Sequence, residues 1–335
     1  MVQKRKFRSS DSESDNTFDL SKYDIRTIDD LIELAMDFCK SRKKKPKSAS
    51  NLDKLPLIIE DLIELRDMIG LDKLKTQLMY QVLYYIEDNS KMLMHTVIEG
   101  PPGSGKTTVA TIMGRIYSKI GILKKKKFNV LGRGDLIGEY LGETTQKTLT
   151  ALEDCKHGVA FIDEAYALGS EDKTDIYSKE AIDTINQYLL ENQNNFICII
   201  AGYKNELEKC FFSKNPGLRR RFPWVFTIEP YTTENLVDIL NVKLDVSPDN
   251  WNLDKSITKE YMITEFNKIK NIMVNNGGDI DIILQFAKIK HVRSNFGKEK
   301  TNSLTKEDIS FGIEELKLSR THVIPFSEPP PGMYS

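Results

Sequence analysis

Residues 100–107 read Gly100-Pro101-Pro102-Gly103-Ser104-Gly105-Lys106-Thr107. Four residues separate the outer glycines, and Lys-Thr follows directly. In this pattern the backbone curls so that its N–H groups point inward at phosphate oxygens. The lysine reaches the terminal phosphates, and the hydroxyl of Thr107 can hold a magnesium ion. The flanks suit the loop: 95–99 reads as a short apolar strand, and 107–120 as a helix. A glycine-rich turn that binds nothing is the competing reading, but it has no need of a Lys-Thr pair at this place.

The chain has 335 residues, room for two or three domains or for one core domain with attachments. Apolar residues make up 40%, enough for an ordinary core, and the net charge of −1 offers no global attraction for nucleic acid or membrane. No run approaches the ~18 apolar residues of a spanning helix. Residues 1–6, Met1-Val2-Gln3-Lys4-Arg5-Lys6, lack the apolar stretch of a signal peptide. Cys39, Cys155, Cys198 and Cys210 share no metal-like or disulfide-like spacing. They read as reduced and mostly buried thiols in a cytoplasmic compartment, with the nucleus as second choice.

Along the chain, 1–22 is polar and charged and reads as a disordered tail. Region 23–50 holds a short helix with apolar residues at helical spacing over 25–39, then a basic linker, Ser41-Arg42-Lys43-Lys44-Lys45-Pro46-Lys47-Ser48. From 51 to 230 strands alternate with helices, the signature of a mostly parallel sheet covered on both faces. The expected strands are 94–99, 128–131, 158–162, 196–201 and 225–228. Region 231–320 shows helical stretches at 233–242, 258–274, 280–292 and 306–319 and no strand pattern, and 321–335 is a proline-rich tail.

The second half of the phosphate site is Val159-Ala160-Phe161-Ile162-Asp163-Glu164, an apolar strand ending in two acids. Such a strand delivers one carboxylate to a magnesium ion and the next to the attacking water as a general base. Acids also favour helix N-termini, so alone the pair would be an even bet between capping and catalysis. Further on, Arg219-Arg220-Arg221 precedes an apolar strand. This is either a solvated turn or a source of guanidinium for a neighbouring subunit's γ-phosphate.

Together these motifs resemble the AAA+ ATPases, and within them the CbbX/CfxQ-like group with its SpoVK-like and red-type Rubisco activase members. The similarity covers roughly 65–245. It also runs through Asp67-Met68-Ile69-Gly70-Leu71, Gly134-Asp135-Leu136-Ile137-Gly138-Glu139-Tyr140-Leu141-Gly142, Glu180-Ala181-Ile182, Ala201-Gly202-Tyr203-Lys204 and Asn215-Pro216-Gly217-Leu218-Arg219. The resemblance implies an α/β AAA+ P-loop NTPase fold: a parallel five-stranded sheet flanked by helices, then a small all-α lid domain. It implies ATP and Mg2+ as cofactors, and a ring, usually a hexamer, with ATP at each subunit boundary. By motif position Ile69 and Gly70 would lie near the adenine. Gly100, Pro101, Pro102, Gly103, Ser104, Gly105, Lys106, Thr107, Thr108 and Asp163 would bind the nucleotide, with Thr107 and Asp163 on the metal. Lys106, Glu164, Arg219 and Arg221 would be catalytic, the arginines acting in trans with Arg220 as an alternative. Tyr140, Leu141 and Gly142 match a pore loop that grips an extended peptide; packing of Tyr140 on its own helix is the alternative. Two positions depart from family patterns, the first from wider AAA+ usage though it resembles the CbbX-like pattern, the second from the CbbX-like group. Gly202-Tyr203 stands where a polar Asn or Thr often senses the γ-phosphate. CbbX-like proteins carry a nucleotide-contacting arginine in the helical domain, whereas the comparable stretch 276–283 has none and looks more like the remodelling branch of AAA+.

The function expected is therefore an ATP-hydrolysing homo-oligomeric motor that remodels a protein partner, itself not encoded in any motif, through a central pore. A nucleic-acid motor or loader using Lys124-Lys125-Lys126-Lys127 and Arg42-Lys43-Lys44-Lys45 ranks lower, because these runs are short and lack interleaved aromatics. A nucleotide-stabilised scaffold with weak hydrolysis ranks lower still.

Overall fold

In a computed structural model of the chain, five short strands pair in parallel in the order β2-β3-β4-β1-β5. They are β1 (Thr96–Glu99), β2 (Phe128–Leu131), β3 (Val159–Ile162), β4 (Ile197–Gly202) and β5 (Trp224–Thr227). The structure describes residues 16–87, 93–125, 127–140, 142–169, 175–193, 195–299 and 301–321. The chain divides into two compact units, Met1–Gly100 with Lys106–Ile228, and Pro101–Gly105 with Glu229–Ser335.

In the first unit β1, β3 and β4 are buried at every position, as parallel strands covered on both faces must be. Side chains alternate between two cores. Ile98, Phe161, Ile199 and Phe226 face one; Val97, Ala160, Ile162, Cys198 and Ile200 face the other. The helices of this unit are α1 (Ile28–Ser41), α2 (Ile59–Asp67), α3 (Asp72–Glu87), α4 (Lys106–Lys119), α5 (Arg133–Leu136), α6 (Glu143–Asp154), α7 (Ile176–Glu191) and α8 (Lys204–Glu206). Residues of α1 to α4 line the first core, and residues of α6 and α7 the second. Register sets Glu99 level with Gly202 and Thr227, so β1, β4 and β5 end along one edge. In open α/β sheets this carboxyl edge is where ligands sit.

The expectation of a disordered 1–22 needs correcting from residue 16 onward; 1–15 lie outside the described residues. Phe18 N–H donates to the Lys44 carbonyl at 2.8 Å, and Lys44 N–H to that of Asn16 at 2.9 Å. The Phe18 ring is buried against Tyr23 and Phe38. One aromatic side chain with somewhere to go is enough to tie down a polar segment. A capping box between Thr27 and Asp30 opens α1, whose buried face (Ile28, Leu31, Ile32, Leu34, Ala35) joins the first core. That amphipathic stripe is therefore used in packing. Lys45 of the basic linker donates to Asp53 Oδ1 at 2.6 Å.

The second unit holds α9 (Thr233–Asp245), α10 (Lys259–Ile269), α11 (Gly277–Ser294) and α12 (Lys306–Thr321) around Leu240, Phe266, Ile280, Ile283 and Ile309. It is the helical region expected, with one short strand pair added. β6 (Asn252–Leu253) pairs in parallel with β7 (Ser303–Leu304). Two residues per strand leave no alternation to read. Beyond 321 the proline-rich tail lies outside the described residues. Among the described residues no helix is long and apolar enough to cross a membrane.

Candidate nucleotide site

Gly100 N–H donates to the Gly202 carbonyl at 3.2 Å, which ties the root of the 100–107 loop to the end of β4. The loop turns through left-handed backbone at Gly103 (φ 64°) and Gly105 (φ 86°). Ser104 Oγ donates to the Pro101 carbonyl at 2.8 Å. α4 starts at Lys106, so its first free N–H groups and positive dipole end lie at the loop.

Within the second unit, loop carbonyls are satisfied by donors from 229–335. Asn276 Nδ2 donates to Pro102 at 3.0 Å, Gly277 N–H to Gly103 at 3.2 Å, and Tyr231 Oη to Ser104 at 3.0 Å. A Cβ on Gly103 would stand 2.0 Å from the Asn275 carbonyl oxygen, so glycine is required there for space as well as for φ.

Lys106 Nζ donates to the Gly100 carbonyl at 3.1 Å and sits 5.0 Å from the centre of the Tyr203 ring. Burial pulls its pKa below the usual lysine value, opposed by Glu164 and then Asp163. Thr107 Oγ1 donates to Asp163 Oδ2 at 2.8 Å, and the Glu164 N–H donates to Asp163 Oδ1 at 3.0 Å. Both oxygens of Asp163 thus act as acceptors. Glu164 is held at φ 51°, a left-handed conformation costing a non-glycine residue roughly 1–3 kcal/mol. Its Oε2 is buried without a hydrogen-bond partner, and burial raises its pKa, with Lys106 opposing and Asp163 adding.

These residues fit a nucleoside triphosphate with magnesium. Lys106 and the free N–H groups that open α4 suit the phosphates. A hydroxyl and a carboxylate in contact suit a cation that keeps most of its waters. The orphaned Oε2 suits a water proton. Thr108 follows on the exposed first turn of α4. Ile69 and Gly70 lie in the turn between α2 and α3, where Gly70 has φ 66°, and Lys75 Nζ donates to the Arg66 and Met68 carbonyls at 2.8 and 2.6 Å.

The acidic strand end has a partner that sequence reasoning missed. Tyr166 stacks on Tyr203 at 5.3 Å, and a Cβ on Gly202 would approach Tyr166 Cδ1 to 2.9 Å. Tyr203 therefore stands beside Lys106 with Tyr166 stacked on it. An aromatic three residues after Asp163, with another behind a glycine at the next strand end, was the available signal.

The three arginines differ. Arg219 Nη2 lies 3.3 Å from Glu208 Oε1 and 3.9 Å from Glu99 Oε1, with its guanidinium carbon 4.5 Å from the Phe212 ring centre. Arg220 is exposed, whereas Arg221 is half-buried with Nε lacking a hydrogen-bond partner. Asn215 shapes their turn, donating to Asp183 at 2.8 Å and accepting from Gly217 N–H at 2.8 Å. Tyr140 is 68% exposed before Gly142 (φ 89°), which caps α6; Leu141 lies outside the described residues. Glu180 accepts from Thr145 N–H and Oγ1 at 3.1 and 2.6 Å, pinning α6 to α7.

Residues 96–228 match the family model of the ATPase family associated with various cellular activities (AAA). A cfxQ-like protein of Acanthamoeba polyphaga mimivirus is 38% identical over 302 residues, 87% of this chain and 72% of that protein. Stage V sporulation protein K of Bacillus subtilis is 36% identical over 193 residues, 56% of this chain and 58% of its own length. Among solved structures the FIGL-1 AAA domain in complex with ADP superposes with a TM-score of 0.51 at 18% identity, over 75% of this chain and 83% of that one.

Proposed function

The chain belongs to the CfxQ-like group of the AAA ATPase family, and on that premise we propose that it is a hexameric motor that draws a protein partner through a central pore. It is a nucleotide-binding ATP hydrolase. The observation that carries the assignment of roles is the buried, unpartnered Oε2 of Glu164 beside the Thr107–Asp163 hydrogen bond.

Bound ATP with Mg2+ supplies the phosphoanhydride and a cation that offsets charge on the β- and γ-oxygens. Thr107 and Asp163 would hold that cation. Lys106 orients the terminal phosphates. Glu164 takes a proton from the attacking water at Oε2, and its raised pKa brings it nearer the operating pH, where proton transfer is most effective. Arg219 and Arg221 of one subunit serve the site of the next. Tyr140, exposed and followed by a glycine that gives the loop freedom, grips extended polypeptide by non-directional apolar contact. Three buried free cysteines suit a reducing, cytoplasmic setting. The nucleic-acid alternative has weaker support, since Lys45 and Lys127 are engaged with Asp53 and with the Asp154 carbonyl.

The test mixes two inactive proteins. Lys106→Ala and the double variant Arg219→Ala/Arg221→Ala should each lose hydrolysis, and the mixture should regain part of it. A mixture as inactive as its components, together with wild-type protein that stays monomeric with ATP and magnesium, would remove the shared-site reading.

A further inference from the structure

We propose that Glu99 is a positioning residue that couples a subunit's own phosphate loop to Arg219, the arginine that the reading above assigns to the neighbouring site. The inference rests on that assignment and adds a connection running back into the subunit that donates the arginine.

Glu99 is the last residue of β1, and its side chain is only 2% exposed. Its Oε1 has no hydrogen-bond partner. A buried carboxylate in that condition is costly unless a cation faces it. The facing cation is Arg219, whose Nη2 stands 3.9 Å away, just outside hydrogen-bond range. Arg219 Nη1 is itself buried and unpartnered. Two opposite charges thus face each other with their hydrogen bonding incomplete on both sides. The competing acid, Glu208, is closer at 3.3 Å but half-exposed. Water and salt screen that attraction, while the field of the buried Glu99 is screened far less. The guanidinium rests over the Phe212 ring and can shift between the two acids without leaving its aromatic support.

The other end of the connection is the main chain. The Glu99 carbonyl accepts from Ile228 N–H at 2.7 Å, which fixes β1 against its neighbour. The next residue, Gly100, offers its carbonyl to Lys106 Nζ. A lysine drawn onto phosphate shifts its hydrogen bond to that carbonyl. Gly100, which bears the carbonyl, follows Glu99 directly in the chain, and Glu99 is one side-chain contact from Arg219. Nucleotide state at one site is in this way delivered to the arginine serving the next.

A double-mutant cycle on the full-length protein tests the connection, with turnover, the Hill coefficient for ATP and binding of a fluorescent ADP analogue as readouts. Glu99→Gln should lower kcat by about three- to a hundred-fold and flatten the ATP cooperativity. ADP-analogue affinity should stay within about two-fold. In an Arg219→Ala background, Glu99→Gln should cost no more than about another two-fold. Glu99→Asp, which keeps the charge, should recover part of the loss, and Glu208→Gln should be nearly silent. Losses that multiply across the cycle, or wild-type turnover and cooperativity in Glu99→Gln, overturn the proposal. So does a loss of ADP-analogue binding and melting temperature in both Glu99 variants, which would make Glu99 a folding residue. If Arg219→Ala alone keeps wild-type turnover, the underlying assignment of Arg219 fails. If Arg219→Ala is inactive and Glu99→Gln is not, only the coupling fails.

Discussion

Thr107 and Asp163, 56 positions apart in the chain, are joined by one hydrogen bond of 2.8 Å from Oγ1 to Oδ2. The contact brings the start of α4 to the end of β3 and leaves a hydroxyl and a carboxylate side by side. Replacing Asp163 by Ala should lower hydrolysis by at least about 100-fold, the scale of losing one electrostatic stabiliser at a reacting phosphate. ADP binding measured by calorimetry should become insensitive to added EDTA. Retained magnesium dependence in the variant would remove the pair from the cation site.

Glu164 has two separable properties. As the base it must be ionised, so turnover should fall with acidification around a pKa above the ordinary glutamate value. For stability the sign is opposite to that of a salt-bridged acid. A carboxyl whose pKa is raised by folding favours the folded state only while protonated. That contribution is present below the unfolded pKa and lost as pH rises through the folded one. Glu164→Gln should therefore abolish hydrolysis and melt higher than wild type at neutral pH, with the two curves converging in acid. A lower melting temperature at pH 7 would contradict the burial argument.

His95 gives the reverse dependence. It is fully buried, its Nδ1 accepts from Cys198 N–H at 3.0 Å, and burial, with Arg221 adding, lowers its pKa to about 4. The unfolded chain binds the proton first, so this contribution is complete above the ordinary value of 6.5 and is lost as pH falls towards 4. Such a shift corresponds to about 3 kcal/mol. His95→Gln, which keeps an acceptor for the Cys198 amide, should flatten the stability profile between those pH values in urea titrations. An unchanged slope would place the acid sensitivity elsewhere.

Tyr140 should be dispensable for chemistry. With 68% of its surface exposed, its removal leaves no cavity, and Tyr140→Ala should hydrolyse ATP within about two-fold of wild type and fold normally. Its loss should appear in ATP-dependent retention of a permanently unfolded fluorescent polypeptide. Undiminished retention would exclude Tyr140 from polypeptide handling.

Much of the fold was legible because the buried strands are continuous apolar runs and because glycine, lysine and acid stand at fixed local offsets. The five strand positions come within two residues of the sequence reading. What escaped had no local pattern. Phe18 looked like part of a polar tail until Phe38 and Lys44 were seen beside it. The β6–β7 pair joins segments about fifty residues apart through two residues each. Tyr203 read as a departure from a motif, whereas in space it is the aromatic face under Lys106. Glu99 read as the end of a strand, and its relation to Arg219 exists only across the sheet edge.

The strand order has a consequence for the loop. β4 lies between β1 and β3, so two inter-strand spacings, about 10 Å, separate the root of the loop from the acidic strand end. Main-chain pairing sets that gap, and no side chain can retune it. The loop closes that gap only at its far end, where Thr107 reaches Asp163. The sheet thus fixes where the loop departs relative to the acids, and the number of residues in the loop decides where the two meet again.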